Sequence, residues 1–527
     1  MKKNVILLLL VICILITSPL FAGGSNAGSA STSTNGPTPI SIFKATGRRT
    51  WDPSLPNIQE VMRRTNTILD VVMSDAADAR NLLFASNDLP DLIEFNGLEF
   101  QNYLSTGYLR PLDDLLKTNG PNLLKNHTQD AWDLVTIQNK IYAFPYENLR
   151  VKIFSYVRTD WLENVGIDLS KNKDYGNIGG KVITLDEYRD ILIAFTRNDP
   201  DRNGRNDTYG MGATGQKNNG GWAGIYGAFG GIPGQYYITN NTAMPWIVTD
   251  QYRQALVYIN SLWREGVIDP EIYLNNNDQA KQKMINSVSG SAVGEWWSQA
   301  HLLQIDGLQN LVPEADFIPL LLTSNDGKLF GPPDNGLITN TLSISTMSKN
   351  PVKVMDFMDL MNTDELWYLN WYGIEGLDYT LAGPNQPVRT EIGLTKYNNM
   401  VVDPIYTLSN RLDINRQVDQ NAPVTSWADT VRIKWALESY VPQDNIYTSA
   451  FYGLPNPQAY IDYGVDVNNW IEQSAMAFIT GETPINDANW NNYINTWKRM
   501  GGVKILQGFI DTYNNLKGTR VTAGITE

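Results

Sequence analysis

Apolar positions run unbroken from Val5 to Ile16, behind Lys2 and Lys3 and ahead of Pro19 and Leu20-Phe21-Ala22. A positive start, a short apolar run and a small-residue exit predict a secretory signal peptide over 1–22, cleaved near Ala22. Twelve apolar residues are too few to cross a bilayer, which takes about 20, and no later stretch is apolar for long enough. The next segment, 23–39, is rich in Gly, Ser, Thr and Asn and reads as a flexible tether, so order is expected to begin near Ile40.

Beyond the tether, helical spacing alternates with short apolar runs, which predicts α/β layers. Leu82 to Ile93 reads as a helix, a turn broken at Pro90 and a buried strand. Thr184 and Glu187 form a capping box before a helix with Leu185, Tyr188, Ile191, Leu192 and Phe195 on one face. Asp250 is placed as the cap of a second helix, which buries Tyr252, Ala255, Leu256, Ile259, Leu262 and Trp263 and stops at Gly266. Pro351 opens a third, Val352 to Met361. No internal repeat or coiled-coil heptad interrupts this order.

The only cysteine, Cys13, lies within the leader and follows Ile12 rather than a small residue at the end of the run. A lipid anchor is therefore not expected, and the mature chain has no thiol for a disulfide, a metal or a nucleophile. Packing alone must hold a chain of 527 residues, long enough for two or more large domains. The formal charge of −14 disfavours nucleic acid and anionic membranes as partners. Low charge with 15 Trp and 26 Tyr suits stacking on sugars and hydrogen bonding to them, although large cores also use aromatics.

The sharpest local signal is Asp199-Pro200-Asp201-Arg202-Asn203-Gly204-Arg205-Asn206-Asp207. It fits the first half of a calcium loop, D-x-[DN]-x-[DN]-G. Calcium takes six to eight oxygens. Asp199, Asp201 and Asn203 point inward by alternation, Gly204 permits the turn, the Arg205 carbonyl adds an oxygen and Asp207 follows. Position twelve is Gly210, where an EF-hand has a bidentate Glu.

Four segments, in order, carry a resemblance. Ala85-Ser86-Asn87-Asp88-Leu89-Pro90-Asp91-Leu92-Ile93 is the first. Ile141-Tyr142-Ala143-Phe144-Pro145 with Val157-Arg158-Thr159-Asp160-Trp161-Leu162 is the second, the Asp199 loop the third, and Tyr372-Gly373-Ile374-Glu375-Gly376-Leu377-Asp378-Tyr379-Thr380 the fourth. Together they resemble extracellular solute-binding proteins of the alginate-oligosaccharide-binding and lipoprotein-like type. The resemblance covers most of the mature chain.

It implies an α/β, two-lobed periplasmic binding protein fold of type II, closing by hinges around a ligand. Lobe one would hold 40–155 with 336–400, and lobe two 156–335 with 401–527, including the calcium loop 199–210. Structural calcium, a carbohydrate ligand and ABC permease subunits are the implied cofactor and partners of a monomeric periplasmic or secreted receptor. The family commonly has Glu after the last loop aspartate; here Thr208 stands there and offers a hydroxyl to the ion. Many relatives also carry a lipid-anchor cysteine that this chain lacks.

By the same resemblance Trp296 or Trp297 is the first stacking candidate and Trp427 the second, with Trp222 and Trp246 as walls of lobe two. Arg48, Arg49 and Trp51, and Glu94 and Asn96 at the end of the Leu92 strand, are placed on the cleft side of lobe one, because ligands of open α/β sheets sit at the carboxyl ends of strands. An exported glycoside hydrolase or lyase is the rival reading, since 55 acidic residues supply many carboxylate pairs. Against it, the chain has no G-x-S-x-G, no H-E-x-x-H, and only His127 and His301 as histidines. A receptor for peptides or another polar solute is a third reading.

Overall fold

The computed structural model describes residues 36–44, 51–74, 79–147, 153–175, 180–212, 220–295, 302, 307–324, 337–383, 386–398, 405–410 and 449–527. The leader and the tether up to residue 35, Arg48, Arg49, Trp296, Trp297 and Trp427 lie outside the described residues.

Ten strands build the two main sheets: β1 (Thr38–Lys44), β2 (Thr67–Met73), β3 (Leu92–Asn96), β4 (Phe144–Glu147), β5 (Ile153–Arg158), β6 (Asp174–Tyr175), β7 (Gly180–Thr184), β8 (Ser291–Glu295), β9 (Phe317–Thr323) and β10 (Ile338–Ile344). The first sheet runs β2-β1-β3-β10-β4 and the second β8-β5-β9-β7-β6. In the first, β1 pairs in parallel with β2 and β3, while β10 lies antiparallel between β3 and β4. In the second, β9 is parallel to β7 and antiparallel to β5.

Each sheet has its own core. The first is built on Ile40, Ile42, Leu92, Phe95, Leu342 and Ile344. Helices α1 (Pro56–Thr65) and α2 (Ala79–Ser86) add Ile58, Val61 and Phe84. The second core surrounds β9, whose unbroken apolar run marks a strand buried on both faces. Leu320 and Leu322 enter the main second core, while Phe317 and Leu321, at the opposite parity, pack with Tyr156 and Leu308 on the other face.

Helix α3 (Leu185–Arg197) buries the expected stripe, and its Thr184–Glu187 capping box is complete. Helix α4 (Asp250–Glu265) also buries its expected face and ends at Gly266 in the left-handed region, at φ 72°. Its cap is Thr249 rather than Asp250: the Thr249 hydroxyl accepts from the Tyr252 N–H, and Asp250 occupies the first turn, where a carboxylate favours the helix dipole. Trp263 is only partly buried. Helix α5 (Pro351–Met361) belongs to the first core through Val354, Phe357 and Met358. Helices α6 (Gln458–Thr480), α7 (Asp487–Arg499) and α8 (Gly502–Lys517) complete the second.

The chain passes from the first sheet at Glu147 to the second at Ile153, and back between Thr323 and Ile338. Further on, Ile405 and Leu408 pack in the first core and Phe451 in the second. The next residue, Tyr452, returns to the first sheet: its hydroxyl accepts from the Ile338 N–H at 2.9 Å and donates to the Ile338 carbonyl at 3.2 Å. No helix among the described residues is long and apolar enough to cross a membrane.

Candidate functional site

The carboxyl-end rim of the first sheet gathers polar groups that the strand pattern places there. Ile40, Ile42 and Lys44 share one parity of β1, so Lys44 is carried into the buried side behind two core residues. The parallel register of β1 on β3 brings it level with Glu94. Lys44 Nζ lies 2.8 Å from Glu94 Oε2, and both side chains are fully buried. Asn340, on β10, donates to Glu94 Oε1 at 3.0 Å, and Lys44 also donates to the Thr407 hydroxyl. Glu94 is thus a buried member of a polar network and presents no free carboxylate to the cleft, contrary to its placement from sequence. Asn96 stands exposed at the end of β3, opposite Asn340. Trp51 is half-buried against the first core.

Beside this network Glu147 ends β4, wholly buried. It accepts from the N–H of Thr128 at 2.9 Å and from its hydroxyl, and burial pushes its carboxyl above the usual range. The Asn410 amide clasps the Glu147 backbone, donating to its carbonyl at 2.8 Å and accepting from its N–H at 3.2 Å. Residues 405–410 are thereby fastened to the rim. Lys44, Glu147, Asn340, Thr407 and Asn410 are the residues that sequence reasoning missed; only Lys44 had a visible signal, its inward parity.

Trp222 and Trp246 are corrected from cleft walls to core. Trp222 is 4% and Trp246 2% exposed. Trp246 packs edge-on to Tyr226, with ring centroids 5.4 Å apart, and tilted against Tyr252. A ring buried on both faces has nothing to offer a sugar.

The second candidate site is the loop after α3. Gly204 takes φ 77°, as the sharp turn requires. The N–H groups of Asn203 and Gly204 donate to the two Asp199 carboxylate oxygens, each at 3.0 Å. The Asn203 amide nitrogen bridges Asp201 at 2.8 Å and Asp207 at 3.0 Å, while its oxygen accepts from the Arg205 N–H. The donors are oxygens of the kind calcium takes, but among the described residues no three acidic or imidazole groups are gathered as a metal would gather them. Burial, and then the neighbouring Asp199 and Asp207, hold the Asp201 carboxyl above its usual range against a lowering hydrogen bond from the Asn203 N–H. Thr208 is corrected: its hydroxyl is buried and donates to the Phe195 carbonyl at 2.8 Å, so it faces α3 and not the loop centre.

The family model of bacterial extracellular solute-binding proteins matches residues 63–366, more than half of the chain. The chain belongs to this family. Lipoprotein LipO of Bacillus subtilis is 23% identical over 486 residues, which are 88% of this chain and 89% of LipO. Among solved structures, an HMO-binding, ABC-transporter-associated solute-binding protein from Bifidobacterium longum infantis superposes with TM-score 0.70 at 16% identity, covering 91% of this chain and 99% of that one. Alginate-binding protein AlgQ2, solved without calcium ion, gives TM-score 0.66 at 19% identity, with the same coverages. These likenesses show the two-lobed α/β fold of type II, which the two sheets and their separate cores display.

Proposed function

We propose that this protein captures a carbohydrate between its lobes outside the cytoplasmic membrane, delivers it to an ABC importer and leaves it chemically intact. The observation that carries the reading is the pair of separately cored sheets, linked by repeated passages of the chain, in a member of the solute-binding family. The alginate-binding and HMO-binding proteins among the structures it resembles support a carbohydrate as the ligand class. On the first lobe Asn96 and Trp51 remain as ligand-facing candidates, joined by Arg48 and Arg49; Trp296, Trp297 and Trp427 keep their stacking role in the proposal. The leader over 1–22 supplies export.

A thermal-shift panel of neutral and acidic oligosaccharides tests this. A bound sugar at a hundred times its dissociation constant should stabilise by about 2.7 kcal/mol, with the sugar recovered uncut. Product formation, or a panel in which nothing shifts the melting, overturns it.

Calcium is the second part of the proposal, held by Asp199, Asp201, Asp207, the Asn203 side chain and the Arg205 carbonyl. Its role is to neutralise carboxylates that otherwise repel. Saturating calcium should add about 2–4 kcal/mol over chelator and leave sugar binding in place; melting that ignores chelator removes the claim. The sign of the pH effect follows from Asp201. Its folded form holds a proton more tightly than the unfolded chain, whose value is 3.8. Its stabilising contribution is therefore present below pH 3.8 and is lost as pH rises through the raised folded value. In chelator, Asp201→Asn should melt higher than the parent at neutral pH, and calcium should no longer raise it.

A further inference from the structure

Helices α6 and α7 follow one another, joined by residues 481–486, and each turns a strip of side chains toward a shared groove. On α6 the stripe is Trp470, Gln473, Ser474 and Ala477; on α7 it is Asn489, Asn492, Tyr493 and Thr496. Both follow the i, i+3, i+4, i+7 spacing that normally carries the apolar seam of a packed helix pair. Here five of the eight carry amides or aliphatic hydroxyls, beside the apolar seams that bury Ile471, Ala475 and Phe478 of α6 and Trp490, Tyr493 and Trp497 of α7, and a space of about 270 Å³ is left between the strips.

The floor of the groove is aromatic. Tyr493 is buried, stacked on Trp470 at 4.8 Å and 21° and on Trp490 at 5.0 Å and 18°, so it backs the half-buried Trp470, the one ring left to meet a ligand. Over this floor, no hydrogen bond within the described residues engages the side chains of Gln473, Ser474, Thr483 or Asn492. Each amide offers donors and an acceptor, and each hydroxyl offers both. No lining residue is a carboxylate or a cation, although the chain carries a net charge of −14.

The half-buried Trp470 indole, held in place by Tyr493 and set beside free, neutral, two-way hydrogen-bonding groups, matches a polyol with one apolar C–H face. The volume lies below the roughly 300 Å³ where drug-sized pockets begin, which suits one ring rather than a chain. We infer that the groove between α6 and α7 is an accessory binding site for a single neutral hexopyranose unit, separate from the interlobe cleft. All its residues belong to α6, α7 and the link between them, so it exists whether the lobes are open or closed.

The probes are methyl glycosides of glucose, galactose and mannose, titrated into the exported chain by saturation-transfer NMR and soaked into crystals of it. At least one should bind in the millimolar range and appear in the crystal against Trp470. Trp470→Ala should weaken it about tenfold, the scale of one lost aromatic partner. Gln473 and Asn492 are exposed, so the double variant Gln473→Ala/Asn492→Ala keeps the fold and should weaken binding by at least as much; it stands in if Trp470→Ala misfolds. The inference fails if none of the three glycosides binds, or if binding survives the double variant unchanged. Cleft binding is read separately: oligosaccharide that still shifts the melting of the double variant is bound between the lobes, and that result bears only on the proposed function.

Discussion

Replacing Lys44 with methionine should cost about 3–5 kcal/mol, the scale of breaking a buried ion pair from one side. The methionine fills much of the lysine volume, so the loss is electrostatic rather than a cavity. It strands the Glu94 carboxylate in the middle of β3, fully buried and with its 2.8 Å cation gone. Asn340 still donates one hydrogen bond to it, which offsets only part of the desolvation. Removing both charges, as Lys44→Met with Glu94→Gln, should recover most of the loss, because a neutral pair in the same space leaves no unpaired charge. Urea unfolding reads this as a lower midpoint at unchanged slope for the single variant, and a midpoint near the parent's for the double. A single-variant loss under about 1 kcal/mol would show that the pair is solvated and does not hold the rim. Lys44 also reaches Thr407, so the single variant should loosen residues 405–410, seen as faster amide exchange there.

Local periodicity made the helices readable, and distance along the chain hid the rim. The buried faces of α3 and α4 follow from spacing within a dozen residues, and Thr184 with Glu187 marks its helix start unaided. The cap of α4 was misplaced by one residue because Thr249 and Asp250 are both good capping types, and only the backbone decides between them. The Lys44–Glu94–Asn340–Thr407 network joins residues up to 363 positions apart, a relation no window along the sequence contains. Trp222 and Trp246 were misread for a more instructive reason. Their Gly-rich surroundings look like a loop, but a Cβ at Gly231 would stand 2.7 Å from the Trp246 ring. Glycine there is the space in which the indole is buried, so the same composition that reads as mobility records close packing.

That lesson applies with greater force to Gly210, at the twelfth position of the calcium-type loop. Gly210→Ala should destabilise by about 3 kcal/mol or more, at the upper end of overpacking. A Cβ at this position would lie 2.3 Å from the Leu192 carbonyl oxygen and 2.6 Å from the Leu192 Cα. Both are backbone atoms of α3, so no rotamer change can relieve the clash and the loop must pull away from the helix. The Gly210 N–H donates to the Thr196 hydroxyl at 2.9 Å, and Thr208 donates to the Phe195 carbonyl; both bonds should fail together when it does. The steric limit also accounts for the missing glutamate: a side chain that could reach back as a bidentate ligand has no room to begin. Supplying the carboxylate by Gly210→Glu should therefore lower stability in calcium as well as in chelator, whereas a loop lacking only a ligand would gain from it. Melting curves of the two variants under both conditions separate these cases, and a calcium-dependent gain for Gly210→Glu would refute the packing account.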